Sequence, residues 1–218
     1  MPIRNLNEAR KHVLSHILKT STALIWAAGV LTIASHVTLA QEAQRVRGAI
    51  ESLSGNTLVV KTREGTEQTV TLKPDWKVRG IKKASVEDIK PGDFVGVASL
   101  PKAEGGDGAL EVLIFPAAMK GTGEGSRPWD LKPNSTMTNA TVAKAVKAVD
   151  GHMITLTYQG KEKTISIADD TPIVTFAPAD KTDLVAGARV IVMGQKAPDG
   201  TVSATNVTVG TNGVVPPM

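Results

Sequence analysis

The chain has no cysteine, and aromatic residues make up only 3% of its 218 positions: three Trp, one Tyr and three Phe. Without thiols there can be no disulfide, no lipoprotein anchor and no thiolate metal site, so an exported fold must be held by its core alone. Histidine is nearly as scarce, since His12, His16 and His36 fall in the first 40 residues and leave His152 to the rest of the chain. A Ser/His/Asp arrangement there would have to use His152, which reads as a solvated residue of a hairpin turn. Soft metal ligands are absent too, because Met119, Met137, Met153 and Met193 are scattered. Asp169, Asp170, Asp180 and Asp183 lack the spacing of a calcium loop. Glu87-Asp88 and Asp169-Asp170 are adjacent pairs, which a strand would point to opposite faces. Gly105-Gly106-Asp107-Gly108 reads as a hairpin tip, not as a phosphate loop between strand and helix. These absences point away from an enzyme and imply no cofactor and no metal.

Long apolar runs are also missing. The one candidate, residues 22–34, is shorter than the roughly 20 residues a spanning helix needs. It follows Arg4, Arg10, Lys11 and Lys19 and precedes Thr38-Leu39-Ala40, a small-residue cleavage pattern. Residues 1–40 therefore read as a signal peptide, and the expected location is periplasmic or secreted. An uncleaved anchor is the alternative and would be the only membrane attachment. The leader holds four of the 25 Lys+Arg and one of the 21 Asp+Glu, leaving a nearly neutral 21 against 20. A general pull toward nucleic acid is not expected from such a balance.

What is present is alternation, and a match of the chain to itself at an offset of 95 to 96 residues. Val46 to Ile50 and Leu58 to Lys61 match Val142 to Val146 and Ile154 to Thr157. Asp88-Ile89, Gly92, Val95 and Val97 match Asp183-Leu184, Gly187, Val190 and Val192. Within each match, Leu58 and Val60, Val70 and Leu72, Ile154 and Leu156, and Ile165 and Ile167 alternate with polar neighbours, the period of a half-buried strand. Ser54-Gly55-Asn56 and Asp150-Gly151-His152 supply hairpin turns. Residues 84–90 and 181–186 have helical character, with Ser85 and Thr182 offering cap chemistry. The expected fold is all-β: two tandem small OB-like β-barrels of about five strands and one short helix each. The first would occupy residues 41–116 and the second 142–210, packed on each other because each alone buries little core. Residues 117–141, rich in Gly, Pro, Ser and Thr, would form a connecting strap, and 211–218 a tail.

The pattern Val46-x-Gly48-x-Ile50, Gly55-Asn56-Thr57-Leu58-Val59-Val60, Ile89-Lys90-Pro91-Gly92-Asp93-Phe94-Val95 and Asp107-Gly108-x-Leu110 resembles a widespread bacterial domain of unknown function. That domain occurs singly or in tandem in exported proteins and implies an OB-like fold with no assigned catalytic residues. The resemblance covers 45–116 well and 142–210 less well, since Pro91-Gly92-Asp93 becomes Ala186-Gly187-Ala188. The joining segment, Gly123 to Asp130 with Ser135 to Asn139, is similar to that of uncharacterised proteobacterial exported proteins. Chains of that type sometimes carry a metal ABC transporter permease label, from which this sequence departs in having no set of spanning helices.

Candidate contact residues lie where the two matching segments disagree. Lys73, Trp76, Lys77, Arg79, Lys82 and Lys83 place cations around one Trp, whereas the matching stretch carries Asp169 and Asp170, with Asp180 following. Opposed patches can pair within a chain or steer contacts between chains; a solvated charged face is the plainer alternative. In the strap, Arg127, Trp129 and Asp130 stand between prolines and either dock across a barrel or fill a surface gap. The expected function is a non-catalytic binding or assembly module in the periplasm, touching other envelope proteins or itself. The alternative is binding of an anionic ligand or polymer, or of a metal ion.

Overall fold

Val, Ile and Thr at alternate positions make strands that are apolar on one side only, and such strands must close over a core. The computed structural model describes residues 42–148 and 151–216. The expected leader, residues 1–40, lies outside the described residues, as do Asp150 of the second hairpin turn and the last two residues of the tail. Twelve strands follow in order among the described residues: β1 (Glu42–Ser54), β2 (Thr57–Thr62), β3 (Glu67–Lys83), β4 (Phe94–Pro101), β5 (Asp107–Ile114) and β6 (Gly125–Pro128), then β7 (Thr136–Ala148), β8 (Gly151–Tyr158), β9 (Lys161–Ile167), β10 (Ile173–Ala177), β11 (Arg189–Lys196) and β12 (Val202–Gly210).

The strands close a five-strand barrel, but not from one contiguous segment. β1 pairs antiparallel with β2, and β2 with β3; β3 runs parallel to β12, which returns through β11 to β1. The remaining strands trace a second ring, β5-β4-β7-β8-β9, whose shortest contact is the parallel pairing of Asp107 with Ile165 and Gly108 with Ser166. This corrects the expectation that residues 41–116 and 142–210 each fold on themselves. The hairpin β4–β5 completes the ring of the second segment, and β11–β12 completes the barrel of the first. β10 ties the two together, antiparallel to β3 around the pair Ile81 and Phe176 and parallel to β5.

Alternation is obeyed in both rings. Leu58, Val60, Val70, Leu72, Val192 and Val207 are buried in the barrel core; Ile154, Leu156, Ile165, Val97 and Val112 fill the second. Each fully buried aliphatic side chain contributes about 1.5–3 kcal/mol. The expected short helices are single 3₁₀ turns, Val86–Asp88 and Lys181–Asp183. Each is fixed by an Asp that accepts from a backbone N–H three residues back: Ser85 N to Asp88 Oδ2 and Asp180 N to Asp183 Oδ2, both 2.8 Å. The next residues then plug a core, Ile89 in the second ring and Leu184 in the barrel. Each turn thus leads into the hairpin that completes the other segment's ring.

The strap is shorter than its composition suggests. β6 and the first residues of β7 fall inside 117–141, and β7 pairs with β4 from Thr136 onward. The sequence match also misplaces β7. Val192 faces Val46, while Val97 faces Thr138, so Thr138 and not Val142 holds the place of Val46. The β-bulge at Ile50/Ser52 likewise recurs at Val142/Lys144.

Candidate functional site

The predicted basic patch keeps its cations at the surface but not its Trp. Trp76 is 5% exposed and belongs to the barrel core. Its Nε1 donates to Asn56 Oδ1 at 3.3 Å, and Lys181 Nζ stands 4.3 Å from the ring centroid, a cation–π contact. The indole therefore closes the barrel mouth and offers no stacking face. β3 leaves its register with β12 between Leu72 and Lys77, where Asp75 takes a positive φ of 61°, and this break turns Trp76 inward. Lys73, Lys77, Arg79, Lys82 and Lys83 are exposed, and none is within ion-pair distance of a carboxylate among the described residues. Lys83 faces a groove of about 500 Å³ that Asp169 and Asp170 also line. The opposed charges are thus brought to one groove without pairing.

The strap residues, in contrast, dock closely. Asp130 accepts a two-pronged bond from Arg47, Nη2 to Oδ1 at 2.8 Å and Nη1 to Oδ2 at 3.1 Å, while Arg45 Nη1 reaches Oδ2 at 3.4 Å. Hydrogen bonds from Arg47, aided by the charges of Arg47 and Arg45, hold the Asp130 carboxyl below the usual range. Trp129 packs on Ala98 and Met137 of the second ring, and the Arg45 guanidinium lies 3.8 Å from its ring centroid. Arg47 and Arg127 stand at 5.9 and 5.7 Å from the same ring. The strap thereby clamps the second ring onto the outer face of the barrel. Arg45 and Arg47 were not singled out by sequence reasoning. Their alternation with buried Val46 and Gly48 marks them as outward-facing, but no local signal says what lies opposite.

Charge at this seam is unbalanced. Arg127 Nη1 donates to the Gly123 carbonyl at 3.0 Å. Its guanidinium is pushed below its ordinary value, first by burial and then by the like charge of Arg45. The Arg79 side chain has no hydrogen-bond or ion-pair partner among the described residues. Three buried donors of the clamp, Arg45 Nε, Arg47 Nε and Trp129 Nε1, also have no acceptor. Beside them the two rings part around a cavity of about 190 Å³. Its base is Ile81, Leu113, Phe115 and Phe176; Arg79, Arg127 and Trp129 stand on its lining. Gly96 allows this packing, since a Cβ there would meet Asn139 Oδ1 at 2.9 Å and Phe115 at 3.2 Å.

Two further polar groupings bear on catalysis. His152, at the start of β8 and half-buried, lines a groove of about 420 Å³ with Glu87, Lys147 and Asp169. Lys163 Nζ donates to Ser99 Oγ at 3.2 Å and to Thr136 Oγ1 at 3.0 Å, and pairs with Asp107 at 2.6 Å. Ser99 is fully buried. Among the described residues, no group of three or more His, Asp or Glu is arranged to hold a metal ion.

The model of a domain of unknown function (DUF5666) matches residues 145–208. That match runs from late β7 through β12, so a segment continuous in sequence is divided between the two rings in space. No curated protein matches the chain, and no solved structure does.

Proposed function

We propose that this chain is an exported, non-catalytic binding or assembly module of the cell envelope, built from two OB-like copies of one plan that have exchanged hairpins. The exchange reading is supported by the shared element order and by pairings that recur in both rings. The leader pattern in residues 1–40 supports export to the periplasm. The observation that carries the binding reading is the run of exposed cations on β3, Lys73, Lys77, Lys82 and Lys83, which have no carboxylate partner in the described chain. Unneutralised exposed cations steer and orient an acidic surface. The partner is another envelope protein or a second copy.

The test is sedimentation velocity of the wild type and of Lys82→Glu/Lys83→Glu at low and high salt, with crosslinking in the periplasm from position 82. Low-salt association or an adduct, lost in the double variant, supports the reading. A wild type that stays monomeric and gives no adduct refutes it. A second reading, capture of an anionic ligand, is supported by a separate observation, the arginine-rich seam in which Asp130 bonds only Arg45 and Arg47.

A further inference from the structure

The seam combines features that a purely structural contact does not need. A structural clamp would neutralise its charges, yet Asp130 serves Arg45 and Arg47 and leaves Arg79 and Arg127 without a carboxylate. A structural clamp would also satisfy its buried donors, and unsatisfied ones are few in native proteins. Here three lie together around Trp129, which is 8% exposed. An anion with acceptor oxygens answers the uncompensated charge of Arg79 and Arg127; of the residues that carry the orphaned donors, Trp129 stands on the cavity lining.

The cavity beside them asks for something more than a bare anion. Its base, Ile81, Leu113, Phe115 and Phe176, is apolar, and Ile191 and Met193 continue it along β11. Met193 is 53% exposed and Arg79 is also exposed, so the cavity opens to solvent where its charge is greatest. A water position needs roughly 10–15 Å³, so about 190 Å³ offers on the order of a dozen of them. That suits a short hydrocarbon body and is less than the roughly 300 Å³ at which drug-sized pockets begin.

We propose that the inter-ring cavity binds a small amphipathic carboxylate, its acid head held by Arg79 and Arg127 at the rim and its apolar body seated over Phe115 and Phe176. The head exchanges water for guanidinium donors, which are suited to the planar two-oxygen geometry of a carboxylate. The body covers apolar surface and the exposed edge at Met193. This inference rests on the anion-capture reading of the seam and adds the apolar requirement to it.

The test uses acetate, butyrate, hexanoate, octanoate, octanol and inorganic phosphate as probes. Binding is read by methyl NMR shifts of Leu113 and Ile191, with titration calorimetry for affinity. Each methylene that enters the cavity should tighten binding about fourfold until the space is full. Octanol should bind more weakly than octanoate, and Arg79→Gln or Arg127→Gln should each weaken octanoate roughly tenfold or more. Those results support the site. Acetate or phosphate binding as tightly as octanoate overturns the amphipathic site and leaves anion capture standing. No binding of any anion at millimolar concentration overturns both. Wild-type affinity for octanoate in Arg79→Gln/Arg127→Gln also overturns the proposal, since the ligand would then sit elsewhere.

Discussion

The barrel and the second ring share a strand plan but end differently. In the barrel, Trp76 turns inward at the mouth, bonds Asn56 and carries Lys181 on its face. In the second ring the matching sequence positions hold Thr171 and His152, and a groove of about 420 Å³ that His152 lines lies there instead. One end of the barrel is thus covered by an indole, while a groove lies at the matching place of the second ring. The strands on either side are built alike, so closure depends on a local bend in β3 and not on the barrel plan. That bend needs the positive φ of Asp75 after Pro74. The other chain segment solves the same corner by interrupting the strand, with β9 ending at Ile167 and β10 beginning at Ile173.

The largest way to break this comparison is to remove the stopper. Trp76→Ala should cost about 3–5 kcal/mol of unfolding free energy. Thr171→Ala, at the matching place in the second ring, should change stability by no more than about 1 kcal/mol. Urea unfolding of the two variants measures both; equal effects would show that the mouths are not mechanically different. A smaller effect should come from the strap that joins the two regions. Asp130→Asn should destabilise by about 1 kcal/mol at neutral pH, since its carboxylate is half-exposed and surface pairs contribute modestly. The sign with pH follows from the depressed carboxyl of Asp130. Its stabilisation is complete above the unfolded value of about 3.9 and is lost as pH falls through the lower folded value. Wild type and Asp130→Asn should therefore converge in stability below about pH 4. A gap that stays constant down to pH 2 would assign the role of Asp130 to something other than its charge.

Much of this architecture can be read from residue order, and the parts that cannot have physical reasons. The alternation of Leu58, Val60, Val70 and Leu72, and of Ile154, Leu156, Ile165 and Ile167, identifies both the strands and their inward faces. Placing β7 by the same pattern fails by four residues. An even slip moves no side chain to the other face, so Val142 and Thr138 satisfy the alternation equally. Which hairpin closes which ring is invisible for a related reason. β11 and β4 are both short apolar strands, and either would present a compatible edge to β1. Choosing between them is a matter of chain reach and packing at Ile81, Leu113 and Phe176, none of it local.

The candidate site divides in the same way. Arg127, Trp129 and Asp130 stood out as a Trp with two charges between prolines, and they are docked. Trp76 stood out because cations surround it where the matching segment carries acids, but it is enclosed, since composition cannot report the bend that turns it inward. Arg45 and Arg47 gave no signal beyond facing outward. Their meaning comes from a strap more than 80 positions away, Arg45 to Asp130 spanning 85 residues and Arg47 to Asp130 spanning 83.

The most direct test of the exchanged architecture is the set of cross-strand backbone NOEs from Val46 in the isotopically labelled protein. The account predicts contacts from Val46 to Val192 of the distant hairpin. Contacts from Val46 to Val97 in their place, the mark of a first segment closed on its own hairpin, would contradict it.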